Sequence, residues 1–189
     1  MVSADKQLKE EDSMRKDLKA FDKLSKQINE TVKNIASVLF RRNALIMVAE
    51  SATGGLVQHF LTEIPGSSNF FLGGIVAYSN ELKQSLLQVP EAVINRYGAV
   101  SEETVAAMAN GVRLCLNADY GLSTSGIAGP SGAQPDKPVG LVYIAVSHRG
   151  FETITTNHVF TGSRSENKMN FTKAALALFL QALNHHEET

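Results

Sequence analysis

The sequence predicts an α/β domain with a mixed sheet, preceded by a charged helical extension. Three observations carry this. Short apolar runs without polar alternation, such as "ALIMVAE", read as buried strands. Between them lie stretches whose apolar residues recur every three or four positions, as over residues 53–64. The run "LVYIAVSHRGFETITTNHVF" reads as a hairpin turning at Arg149 and Gly150, which adds antiparallel pairing to the strand–helix alternation. With 189 residues, 43% apolar and 20% charged, the chain suits one globular domain and an appendage.

Residues 1–23 hold basic and acidic side chains in equal number, so they are not a basic arm. From Leu18, apolar residues recur at Phe21, Leu24, Ile28, Val32, Ile35 and Leu39, an amphipathic helix. The stripe is narrow and suits either a partner chain or the domain itself. The first ~13 residues are expected to fray. The chain therefore divides into an extension, 1–23, and a domain, 24–189.

Next comes the strand "ALIMVAE", then a helix with apolar positions at Leu56, Val57, Phe60, Leu61 and Ile64, ended by "PGSSN". "FFLGGIVAYS" is a second strand, with Gly73 and Gly74 marking a bulge or close backbone approach. "NELKQSLLQV" reads as a short helix. Pro90 suits the start of another, and Gly98 its end. Ser101 is a helix N-cap, with Glu102 and Glu103 in the first turn, and that helix runs to about residue 117. "YGLSTSGIAG" is a third strand entering a glycine loop, and a proline-rich loop leads to the hairpin. A last helix covers about residues 164–184.

A net charge of -1 removes any global electrostatic case for nucleic acid or an anionic membrane. No signal-peptide core or membrane-length apolar run appears. Cys115 is the one cysteine, which excludes an intramolecular disulfide framework and makes a cytoplasmic protein the simplest reading. Its apolar neighbours make it an inert core thiol. His59, His148, His158, His185 and His186 show no metal-ligand spacing.

Three stretches could carry chemistry. In "VAESATGGLVQHF" a strand ends at Ser51 and turns into a helix. Backbone N–H groups around Thr53, Gly54 and Gly55 could hold an anion or a developing oxyanion. A serine before a helix is also an ordinary cap, and Ser51 lies in neither a Ser-x-x-Lys nor a G-x-S-x-G motif. In "YSNELK", a buried Lys83 could serve as general base, with Tyr78 beside it. A solvated lysine and a strand-end aromatic are the plainer alternatives. In "STSGIAGPSGAQPDKP", Ser123, Ser125, Gly126 and Gly129 follow a strand end, where open α/β sheets bind ligands. That loop is neither a P-loop nor G-x-G-x-x-G, and a purely structural loop remains open.

Together, "AESATGG", "GGIVAYSNELK", "YGAVSEETV" and "SGIAGPSGAQPDKPVG" resemble the CinA C-terminal domain family, whose characterised members include nicotinamide-nucleotide amidohydrolases. The resemblance implies a three-layer α/β/α sandwich, commonly a homodimer, with no metal and no organic cofactor. It implies hydrolysis of the carboxamide of nicotinamide mononucleotide to nicotinate mononucleotide and ammonia. It places the nucleophile on Ser51, the lysine on Lys83, the tyrosine on Tyr78 and the family's arginine on Arg164, whose fixed fork of donors makes it the candidate to hold the ligand's phosphate. Lys83 is expected as base, and Tyr78 to orient it or relay a proton. Glu50 is expected either to hold a ribose hydroxyl or a lysine, or to brace the loop. Three positions depart from the family pattern: Ala52 for cysteine, Ser131 within "GPSG", and Ser163 for the acid of Gly-Asp-Arg. The altered Gly-Ser-Arg and the extra N-terminal helix support an alternative, a nucleotide- or partner-binding module that has lost hydrolysis.

Overall fold

A computed structural model describes the backbone of residues 4–185 and the side chains of residues 21–185. His186 lies outside the described residues. A long helix α1 (Ala4–Arg42) leads into strand β1 (Ile46–Glu50), helix α2 (Leu56–Thr62) and strand β2 (Phe71–Val76). Helices α3 (Asn80–Ser85), α4 (Glu91–Tyr97) and α5 (Glu102–Cys115) follow. Strands β3 (Tyr120–Gly126), β4 (Leu141–His148) and β5 (Ile154–Val159) precede the last helix, α6 (Arg164–His185). The expected fraying concerns a segment whose side chains lie outside those described; its backbone is helical from Ala4.

The five strands lie in the order β2-β1-β3-β4-β5. β1 pairs in parallel with both β2 and β3, and β4 runs antiparallel to β3 and β5. The sheet is therefore mixed, as the hairpin predicts. Ile46 faces Phe71 and Met47 faces Gly73, so Leu72 is an extra residue at the expected bulge.

Alternation along β1 sends its side chains to two cores. Ile46 and Val48 join Ile28, Val32, Ile35 and Leu39 of α1 and Leu176 and Phe179 of α6. Met47 and Ala49 meet Met108 and Val112 of α5 on the opposite face. Helices thus cover both faces, the three-layer arrangement. Each of the four fully buried α1 residues contributes roughly 1.5–3 kcal/mol by leaving water, so this half of α1 belongs to the domain.

Ser101 caps α5, accepting from the Thr104 N–H as its position predicts. Cys115 departs from expectation: it is exposed. The buried stripe of α5 ends at Val112, and the apolar neighbours Leu114 and Leu116 are themselves exposed beyond the sheet. No described helix is long and apolar enough to cross a membrane.

Candidate active site

The order β2-β1-β3 makes the chain cross from one side of β1 to the other, so the connections leaving the adjacent C-terminal ends of β1 and β3 run in opposite directions. Ligands bind at such a switch point in open α/β sheets. Ser51 follows β1 directly, and Ser125 and Gly126 close β3. The Ser51 N–H donates to Thr124 O, tying the end of β1 to β3.

The chain leaves Ser51 through Ala52, Thr53 and two left-handed glycines, Gly54 (φ 61°) and Gly55 (φ 99°). Only glycine accepts that pair at little cost. The helix starts later than the sequence suggests, at Leu56. Three of the N–H groups at its start are already taken. The Glu50 carboxylate accepts from Gly55 N (2.9 Å), Val57 N (3.1 Å) and Gln58 N (3.0 Å). Glu50 is 0% exposed and braces the loop, so it does not face a ligand. Thr53 is also buried, its hydroxyl bonded to that of Thr124 at 2.8 Å. Of the two expectations for Glu50, the loop brace holds and the ligand contact is corrected; the Gly55 N–H is corrected too, being spent on Glu50, and the Thr53 hydroxyl points inward to Thr124 and not to a ligand. Exposed Gly54 is the open point of the loop.

Lys83 sits on α3, whose Ser79 cap accepts from Leu82 N. It is 1% exposed. Its Nζ donates to Ala77 O at 2.8 Å and Tyr78 O at 3.4 Å, and stands 3.3 Å from Ser51 Oγ. Burial lowers its pKa from 10.5 to about 8. A buried amine with a near-neutral pKa against a serine hydroxyl is the arrangement a base–nucleophile pair requires.

Tyr78 holds Lys83 through its carbonyl, not its hydroxyl. Its ring is 64% exposed, and its hydroxyl accepts from Arg164 Nη2 at 3.2 Å. The expected relay through the phenol is corrected accordingly. Arg164 opens α6 and also donates from Nη1 to Gly129 O at 2.9 Å, which fixes its fork across the mouth of the site. Ser163 compensates for the missing acid. Its N–H donates to Glu166 Oε2 at 2.7 Å, and its hydroxyl accepts from Glu166 N. This is a capping box, legible in the sequence as Ser163-x-x-Glu166. The same bonds hold the Glu166 carboxyl below its ordinary pKa.

Ser51, Ala52, Tyr78, Lys83, Ser125, Gly126 and Arg164 share one cleft of about 210 Å³. Gly129 braces Arg164 from beneath. Ser125 donates to Ala99 O at 2.7 Å and is held as a wall. Buried Ser123 instead donates to Val105 O, toward α5. The sequence reading missed Ala99, Val100 and Ala128, which complete the cleft; small apolar wall residues of this kind leave no pattern that marks a site. Among the described residues, no three His, Cys, Asp or Glu gather to hold a metal.

The CinA C-terminal domain model matches residues 28–183. A "Putative competence-damage inducible protein" of Desulforudis audaxviator is 42% identical over 152 residues, covering 80% of this chain and 37% of that protein. One of the same description from Halothermothrix orenii is 49% identical over 141 residues, covering 75% and 34%. The chain thus spans about a third of the length of these curated relatives. Among solved structures, the competence damage-inducible protein A of Klebsiella pneumoniae superposes with a TM-score of 0.80 at 32% identity, covering 84% of this chain and 98% of that one. The Agrobacterium tumefaciens competence/damage inducible protein gives a TM-score of 0.80 at 34% identity, covering 84% and 96%. The switch-point cleft, the three layers and these matches converge: the chain belongs to the CinA C-terminal domain family.

Proposed function

We propose that the protein hydrolyses the carboxamide of nicotinamide mononucleotide, giving nicotinate mononucleotide and ammonia, with Ser51 as nucleophile and Lys83 as general base. The observation that carries this reading is the buried Lys83 Nζ, 3.3 Å from Ser51 Oγ, with a pKa lowered to about 8. A neutral lysine amine has two N–H donors and one lone pair. Ala77 O and Tyr78 O are in place for the donors, which leaves the lone pair for the Ser51 proton.

The steps then balance. Ser51 Oγ bonds to the carboxamide carbon as its proton passes to Lys83 Nζ. Backbone N–H groups near Thr53 and Gly54 would bind the developing oxyanion; one such donor is typically worth about 10²–10³ in rate. The C–N bond breaks, and the Lys83 ammonium returns the proton to the departing nitrogen, which leaves as ammonia. Water attacks the nicotinyl ester and gives a proton to Lys83. Ser51 departs and regains that proton. Arg164 lies at the cleft mouth to meet the phosphate.

Ammonia release from nicotinamide mononucleotide tests the reading. Wild type is expected to turn over and Ser51→Ala to fall to background. The rate should rise with pH and level off above about pH 8, as Lys83 loses its proton. No release by a wild type that binds the nucleotide overturns the enzyme reading and favours the binding-module alternative. Full activity in Ser51→Ala overturns the nucleophile alone.

A further inference from the structure

We propose that Lys168 is the second arm of an anion clamp with Arg164, and that this clamp selects a phosphate monoester borne by the ligand. Lys168 stands four residues after Arg164 on α6, one helical turn away and on the same face. A Cβ built on Gly54 would lie 3.3 Å from Lys168 Nζ and 3.7 Å from its Cε. Its ammonium therefore hangs over the open point of the loop that begins at Ser51. Glycine at position 54 leaves room for it there, where a Cβ would crowd the amine.

Half-buried Lys168 has no hydrogen-bond or ion-pair partner among the described residues. The nearest candidate acid on its own helix, Glu166, is turned back onto the Ser163 N–H. The described partners of Arg164, Gly129 O and Tyr78 Oη, are both neutral. Arg164 lines the cleft that holds Ser51, and Lys168 stands one helical turn on, against Gly54 three residues past Ser51, with no described carboxylate paired to either. A planar fork and a point charge together suit a dianionic phosphate. The cleft, about 210 Å³, has room for a planar amide-bearing ring while the rest of the ligand reaches outward to the clamp. That the ring carries the reacting amide rests on the amidohydrolase reading; the clamp itself does not.

Two measurements separate these claims. The first is calorimetric binding of ribose 5-phosphate, with ribose as control, to wild type, Lys168→Gln and Lys168→Arg. The glutamine variant is expected to bind about tenfold or more weakly, and the arginine variant within about threefold of wild type. The second is ammonia release from nicotinamide mononucleotide and from nicotinamide riboside. Lys168→Gln should raise KM for the nucleotide by about the same tenfold factor, leave kcat within about twofold, and leave the riboside unchanged. Wild type that ignores ribose 5-phosphate, or Lys168→Gln that binds it normally, overturns the clamp. An equal loss on nucleotide and riboside overturns it too. Lys168-dependent binding without ammonia release from either compound upholds the clamp and overturns the hydrolase reading.

Discussion

A lysine side chain 1% exposed is costly as a cation, and the cost shows in its lowered pKa. Below about pH 8 the folded protein buries the charged form. Between about 8 and 10.5 only the unfolded chain keeps the proton, so stability from this group rises with pH across that window. Lys83→Met has no such slope. Its stability relative to wild type should be greatest at pH 7 and shrink by about 2–3 kcal/mol toward pH 10.5, at 1.36 kcal/mol per pKa unit. Urea unfolding of both proteins at pH 7 and pH 10 checks this; a constant difference would contradict the burial. Ser51 and Lys83 are legible in the sequence as a possible nucleophile and base. Their 3.3 Å approach is not, because 32 residues and one strand crossover separate them. Lys168 is less legible still, since only the fold sets it against Gly54.

At the scale of elements, the turn from β1 to α2 is governed by one buried carboxylate. Glu50 accepts three backbone N–H groups and thereby sets the loop that carries Ser51. Glu50→Gln turns an amide N–H₂ toward at least one of those donors. It should cost about 1–3 kcal/mol, read by urea unfolding, and lower ammonia release by displacing Ser51. An unchanged stability would contradict the bracing role. The sequence shows an acid beside a serine at a strand end, which suits a ligand contact as well as a brace. Only the direction of the Gly55, Val57 and Gln58 N–H groups separates the two. Likewise, apolar "VRLCLNA" suits a buried helix end, but the buried stripe of α5 ends at Val112, leaving Cys115, Leu114 and Leu116 exposed. The α6 start shows the reverse, because its Ser163–Glu166 box is purely local and could be read directly.

At the scale of the molecule, α1 spans 39 residues, about 58 Å at 1.5 Å per residue. Its contribution to the described core begins at Leu24 and Ile28. Removing residues 1–23 should therefore leave the melting temperature within about 4 °C, the shift expected for roughly 1 kcal/mol in a domain of this size. We propose a homodimer, and sedimentation equilibrium of the full and shortened chains checks it. A dimer that survives the deletion places the interface on the domain, one lost with it places the interface on the helix, and a monomer throughout overturns it. The alternation of buried runs with helical periods, together with one hairpin, determined by itself the class of fold and its mixed sheet, because burial pattern is a local property of consecutive residues. Only the tertiary structure decided that Glu50 braces the loop and that Lys83 is buried within reach of Ser51. Those placements depend on the order β2-β1-β3, which brings residues distant in sequence to one cleft where a buried amine loses its proton more readily.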